Sequence, residues 1–165
     1  MAAKILKLLC VFFSVLTVLL CGCEHDKNSN EVNTDFSADF KAYYRGMELS
    51  GTLTNTRQSY CAIELNSPET LDGLSVSYSG GELALSRSIV KATADEAFLP
   101  SDSFCSILHE ILKAAPNGSG SSPIKLELPC GNADLTVDDN GLPKEASAQS
   151  LDFSITFSNA KATGK

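Results

Sequence analysis

Along residues 36–65 apolar and polar side chains alternate with a period of two. Phe36, Ala38, Phe40, Ala42 and Tyr44 interleave with Ser37, Asp39, Lys41, Tyr43 and Arg45. After Gly46 the alternation resumes, with Met47, Leu49, Gly51 and Leu53 set against Glu48, Ser50, Thr52 and Thr54. A third run, Cys61, Ile63 and Leu65 against Tyr60, Ala62 and Glu64, follows the polar join at 55–59. Successive side chains of a strand point to opposite faces, so three such runs with short joins predict an antiparallel meander with one buried face.

The pattern continues beyond a loop at 66–73 punctuated by Pro68 and Gly73. Leu74, Val76 and Tyr78 alternate with serines, Gly80-Gly81 turns the chain, and Leu83 and Leu85 follow. Residues 91–100 are less patterned, and Ala92, Ala94 and Ala97 predict a helical turn there. The period then becomes 3.6. Phe104, Leu108, Ile111, Leu112 and Ala115 share one face of a helix predicted from about Asp102 to Ala114, with Cys105 at the edge of that face. Ser101 or Asp102 caps it, and Pro116-Asn117-Gly118 ends it. Four further strands are predicted around 124–128, 133–137, 143–148 and 151–157. Asp138-Asp139-Asn140-Gly141 lacks the alternating ligands and terminal Glu of a calcium loop and reads as a hairpin turn.

These elements predict a mainly β (α+β) domain over residues 36–160. About nine strands spaced ~4.8 Å apart make a sheet roughly 40 Å wide. One helix of about 20 Å by 10 Å does not cover it. The sheet is therefore expected to curl into an open half-barrel with the helix in its mouth, or to be covered by a ligand or partner. Phe36, Phe40, Leu49, Ile63, Leu108, Phe153 and Phe157 form the candidate apolar groove.

The first 35 residues have another character. Lys4 and Lys7 precede an apolar run at 8–20 interrupted only by Ser14 and Thr17. A helix of that length is about 20 Å, short of the ~30 Å hydrocarbon core, which predicts an export signal over 1–22 rather than a membrane span. Leu20-Cys21-Gly22-Cys23 resembles a bacterial lipobox, with small Gly22 just before the cysteine. That resemblance implies cleavage before Cys23, lipidation of its thiol with fatty acyl groups such as palmitate, and a lipid anchor on the extracytoplasmic side of the cell membrane. Two acyl chains on one cysteine make a stable anchor where one does not. The polar stretch 24–35, with Val32 its one large apolar side chain, predicts a flexible tether. Residues 161–165 are read as a tail.

Charge narrows the partners. Lys and Arg number 13 against 20 Asp and Glu, a net charge of −7; loss of Lys4 and Lys7 with the leader leaves −9. So acidic a domain is repelled by nucleic acid and by anionic headgroups, which leaves the Cys23 anchor to hold it at the membrane. Cys61, Cys105 and Cys130 are an odd number and have no CxxC spacing. One pair can bridge, or all three can be buried thiols; the inward strand position of Cys61 and the helix-face position of Cys105 favour thiols. Cys105 and His109 are adjacent on the helix at i, i+4, but no second His or Cys pair is at hand to complete a metal site, and nothing marks a group that would orient His109 as a base. No metal or cofactor is expected. With no Gly-x-Ser-x-Gly motif and only 2 histidines, a non-enzymatic protein is expected.

Three stretches carry a family resemblance: residues 44–53 (Tyr44-Arg45-Gly46 to Leu53), residues 61–74 (Cys61-Ala62-Ile63-Glu64-Leu65 through Pro68-Glu69-Thr70-Leu71-Asp72-Gly73-Leu74), and Asp139-Asn140-Gly141-Leu142-Pro143 before the Phe-rich final strand. Together they are similar to the LolA-like lipoproteins of anaerobic Gram-positive bacteria. The resemblance implies an open half-barrel wrapped around helix, as in periplasmic lipoprotein carriers and mycobacterial lipid-binding lipoproteins, and hence a concave sheet that binds a lipid or acyl chain. A germination lipoprotein of spore formers also has this layout, which implies the alternative of a module that holds or activates an envelope partner such as a cell-wall amidase. The present chain departs from the carriers in being shorter, with a single clear helix, and in carrying its own lipidation signal. No binding residue of these relatives is carried over.

Overall fold

The computed structural model describes residues 32–56, 60–117 and 122–163. The predicted leader, Cys23 and the tether up to residue 31 lie outside the described residues. The elements are β1 (Phe36–Tyr44), β2 (Met47–Thr56), β3 (Tyr60–Ser67), β4 (Leu74–Ser79), β5 (Glu82–Arg87), β6 (Val90–Asp95), α1 (Phe104–Ala114), β7 (Ile124–Leu128), β8 (Gly131–Val137), β9 (Pro143–Ala148) and β10 (Phe153–Ala162).

All ten strands belong to one antiparallel sheet in the order β6-β5-β4-β3-β2-β1-β10-β9-β8-β7. Two meanders, β1 to β6 and β7 to β10, are sewn together by β1 and β10, whose register sets Phe40 opposite Phe157 and Tyr44 opposite Phe153. The β1–β2 turn places both Arg45 (φ 48°) and Gly46 (φ 81°) in the left-handed region, the requirement of the tight hairpin turn whose twist matches the strands. Gly80 (φ 59°) and Gly81 (φ 85°) meet the same requirement between β4 and β5.

The sheet is open: β6 and β7 are its two edges and do not pair with each other. Flat, ten strands would span about 43 Å, while the 11 residues of α1 reach only about 16 Å. Yet Leu83 on β5 and Ile124 on β7 are at most 1 % exposed, and the buried side chains of the strands between them share one core with Ile107, Leu108 and Ile111 of the helix. The helix and the inward face of the open sheet thus bury one common core. This is the mainly β open half-barrel with one helix.

Several details differ from the sequence reading. The described residues form ten strands, not about nine. The segment expected to hold a helical turn is strand β6 followed by a short 3-10 turn, Glu96–Phe98. The helix cap is Ser103, whose Oγ accepts from the Ser106 amide at 3.4 Å, rather than Ser101 or Asp102. Packing reaches back before Phe36. Val32 and Thr34 are buried, the Asn33 amide donates to the Gly141 carbonyl (2.9 Å), and the Asn55 side-chain amide donates to the Thr34 carbonyl (2.7 Å). Val32 is the apolar residue that makes this docking favourable. At the other end β10 runs to Ala162, into the expected tail.

Candidate functional site

The start of α1 is tied down. Tyr44 Oη donates to the Asp102 carbonyl at 2.6 Å, the Arg45 guanidinium pairs with the Asp102 carboxylate, and the Ser103 cap follows directly. Phe104 then enters the centre of an aromatic cluster, with ring centroids 5.8 Å from Phe40, 6.1 Å from Tyr44 and 5.7 Å from Phe153. All seven residues of the candidate groove come together, but as members of a filled interior. Phe36, Phe40, Leu49, Ile63, Leu108, Phe153 and Phe157 are each at most 6 % exposed. None of them lines a cleft described below.

The opposite end of the helix is different. There His109, Leu112, Lys113 and the following Pro116 face Asn55 and Thr56 at the end of β2, Tyr60 at the start of β3, and Tyr78 to Gly81 across the β4–β5 turn, with the buried Thr34 also in the lining. These residues enclose a cleft of about 610 Å³. A second cleft of about 400 Å³ lies between the helix flank (Ser106, His109, Glu110) and the 3-10 turn, floored by Pro129. Tyr78, Gly81, Glu96 and His109 line both and so form the partition between them.

The partition is built from distant pieces of chain. Glu96 is held by its amide, which donates to the Gly81 carbonyl at 3.0 Å, and by the Asp95 side chain capping the turn at the Ala97 amide. His109 stacks face to face on Tyr78, with centroids 4.2 Å apart and planes 4° apart. Its Nε2 lies 3.6 Å from Glu96 Oε1. Lys113 Nζ sits 3.5 Å from Glu96 and 3.4 Å from Glu110. One ligand atom each of Glu96, His109 and Glu110 falls within 4.8 Å of the others, a spacing a metal ion could use. The Lys113 ammonium already supplies the cation between the two carboxylates, and those carboxylates hold the lysine above its usual range.

Burial governs the remaining ionisation. It pushes the Tyr78 hydroxyl well above the ordinary phenol range; the Ser106 hydroxyl offsets part of that rise without reaching hydrogen-bond geometry. It lowers His109, against partial opposition from Glu96 and Glu110. The Cys61 and Cys105 thiols are each pushed up to about 12 by burial. Cys61, Cys105 and Cys130 are free thiols, the first buried and the other two partly so. Because the thiolate is the reactive form, Cys61 and Cys105 are poor nucleophiles at neutral pH, and adjacency to His109 does not make Cys105 one. Three buried polar atoms have no hydrogen-bond partner among the described residues: Thr34 Oγ1, Tyr78 Oη and His109 Nδ1. All three residues line the larger cleft.

Apolar side chains exposed on the surface include Ile89, 97 % exposed at the tip of the β5–β6 hairpin, its neighbour Val90 and Phe98, both 68 %.

Of this site the sequence singled out His109 and, as an inward strand position, Tyr78. Thr34 was read as tether, and Glu96 lay in the less patterned segment expected to hold a helical turn. Lys113 is one more surface lysine until the fold sets it between Glu96 and Glu110.

No protein-family model matches the chain, and neither does any curated protein. Among solved structures it is similar to an uncharacterized conserved protein from Thermus thermophilus, with TM-score 0.46 and 11 % identity over 82 % of each chain. It is also similar to a LolA superfamily protein from Nitrosomonas europaea, with TM-score 0.45 and 9 % identity over 83 % of this chain and 91 % of that one.

Proposed function

We propose that this chain is a non-enzymatic binding protein of the cell envelope, held on the extracytoplasmic face of the membrane by lipidation of Cys23, and that it takes an amphipathic ligand with an acyl chain into the cleft at the C-terminal end of α1. The cleft carries the reading. Its volume of about 610 Å³ falls in the range of small-molecule sites, roughly 300–1,000 Å³, and Tyr78, Leu112 and Pro116 give it apolar walls beside a few polar groups. The resemblance of residues 44–53 and 61–74 to LolA-like lipoproteins supports the same class of ligand. The site is moved from the filled interior to its open end, because a core as closed as that around Phe36 and Ile63 has no room for an acyl chain without unpacking.

The test is lipid extraction and mass spectrometry of the full chain purified from its membrane, with titration of a fluorescent acyl probe. Co-purified acyl lipid and saturable probe binding, weakened by Leu112→Trp in the cleft wall, are expected. A chain that carries no lipid and binds no probe removes the reading. Cys23→Ala is expected to release the protein from the membrane fraction, and continued retention would overturn the anchor.

A second reading has its own observation. Ile89 and Val90 project from a hairpin whose outer strand, β6, is a free sheet edge, a surface suited to an envelope protein partner. Ile89→Asp with Val90→Lys would abolish capture of such a partner while leaving acyl-probe binding unchanged.

A further inference from the structure

From the polar groups of the cleft we infer which head group it accepts: an uncharged one carrying hydroxyl or amide groups, in preference to a carboxylate or phosphate. The inference rests on the binding reading above and adds the chemical class of the ligand.

Two independent sets of residues support it. The first is the trio of unpartnered polar atoms, Thr34 Oγ1, Tyr78 Oη and His109 Nδ1. Thr34 and Tyr78 are each 2 % exposed, so bulk water does not serve them. A buried polar group without a partner is costly, and native structures retain few of them without a reason. These three come from separate parts of the chain (the N-terminal segment, β4 and α1), yet all belong to residues lining one cleft. A hydroxyl both donates and accepts, and an uncharged imidazole does one at each nitrogen. The natural complement of such a set is a neutral head with donors and acceptors of its own, reached by a small adjustment of the cleft wall.

The second set is charge. The ionisable groups facing the partition are Glu96 and Glu110, with Lys113 bound to both, and Asp95 adds another carboxylate along the smaller cleft. The one ammonium is thus already engaged by two carboxylates. An anionic head entering the larger cleft would meet Glu96 beside a Lys113 already paired to it, with Glu110 and Asp95 along the adjoining cleft, so that among the described residues around the partition carboxylates outnumber the ammonium. The chain as a whole adds a net charge of −7. Burial lowers His109, so at neutral pH the imidazole adds no positive charge to those of the described residues that line the cleft.

The experiment is a competition series on the full chain carrying Cys23→Ala, so that no attached acyl group competes for the cleft. The probes share an oleoyl or equivalent chain and differ in head: 1-oleoylglycerol and oleamide as neutral heads, oleate as the anion, and octadecene as the chain without a head. The neutral heads are expected to bind at least about tenfold tighter than oleate. Tyr78→Phe and Thr34→Val, which remove an unpartnered hydroxyl and little else, should each weaken the neutral heads by roughly threefold to tenfold, the value of a hydrogen bond. Both should weaken the neutral heads more than they weaken octadecene and should not lower the melting temperature, because an unpaired buried hydroxyl is lost. A role confined to packing would leave the affinities untouched. Glu96→Gln with Glu110→Gln should close the gap between oleate and the neutral heads. Equal or tighter binding of oleate, or neutral-head affinities unmoved by both hydroxyl removals, overturns the head-group selection while acyl binding stands. Failure of every probe, octadecene included, overturns the binding reading itself.

Discussion

The imidazole of His109 lies flat on the phenol ring of Tyr78, 4.2 Å between centroids and 4° from parallel, so a helix and a strand meet through two stacked rings. The contact requires a largely buried histidine, and burial is the main cause of its lowered pKa. In the unfolded chain the same imidazole takes up a proton near its ordinary value of 6.5. Between that value and the lower folded one the unfolded state binds more protons, so stability rises with pH across this window. Its contribution is complete above 6.5 and is lost as pH falls below 6.5 and through the folded value. Glu96 and Glu110 face the ring and moderate the effect without reversing it, while Lys113 adds to it. Melting temperatures of the wild type and His109→Phe, which keeps a stacking ring and cannot titrate, are expected to diverge in favour of the variant as the solution is acidified below 6.5. Parallel curves would contradict the assignment.

Phe104 offers a second check, because its ring touches Phe40, Tyr44 and Phe153 where the helix enters the half-barrel. Truncation to Ala removes the hub of that cluster and leaves a cavity among the three remaining rings. A loss of about 3–5 kcal/mol in urea unfolding is expected. Phe98, 68 % exposed, is the internal control, and Phe98→Ser should stay within about 0.5 kcal/mol of the wild type.

Buried alternation made most of this fold legible. In β1 every second residue is buried, so Phe36, Ala38, Phe40, Ala42 and Tyr44 announce their face. Where burial contrast fades, so does the signal. Five of the six residues of β6 are exposed, and its Ala92 and Ala94 are weak strand formers, so pairing with β5 rather than side-chain burial makes it a strand. The same logic hid Thr34, since one valine in a polar stretch is a thin signal for docking. The cleft was less legible still. It is assembled from the ends of β2, β3 and β4, the β4–β5 turn and the last turns of α1, and its partition depends on a Gly81 carbonyl fixing Glu96 beside His109. No local period encodes such a meeting. The large aromatics that drew attention as a groove are the residues with most to gain from burial, and the helix seals them.

Reactivity of the thiols gives a third test. Cys61 is 1 % exposed, and both it and Cys105 are pushed up to about 12, whereas Cys130 lies half-open near the β7–β8 turn. Iodoacetamide at pH 8, with sites read by peptide mass spectrometry, should label Cys130 first and Cys61 only as fast as the chain unfolds. Rapid labelling of Cys61 in the folded protein would show that β3 and α1 separate readily.

At Gly51 strands β2 and β3 leave no room for a side chain. Phe40 on β1 stands opposite Gly51 on β2, and the pairing of β2 with β3 shifts register between Ser50 and Gly51. A Cβ at position 51 would fall 1.9 Å from the Glu64 carbonyl oxygen and 3.0 Å from the Phe40 ring. The first neighbour is backbone, which cannot swing aside as a side-chain tip does. Gly51→Ala therefore has to push β3 away from β2 at the irregularity, next to an aromatic ring that fills the space a side chain would need. Ordinary overpacking costs about 1–3 kcal/mol, and a clash with backbone belongs at or above the top of that range. Expected is a loss of about 3 kcal/mol or more in urea unfolding, with lowered expression. The paired change Gly51→Ala with Phe40→Leu relieves the ring contact alone, so it should recover only a minor part of the loss. Full recovery would locate the constraint in the ring rather than in the strand pairing, and a Gly51→Ala protein as stable as wild type would show that β2 and β3 are free to move apart here.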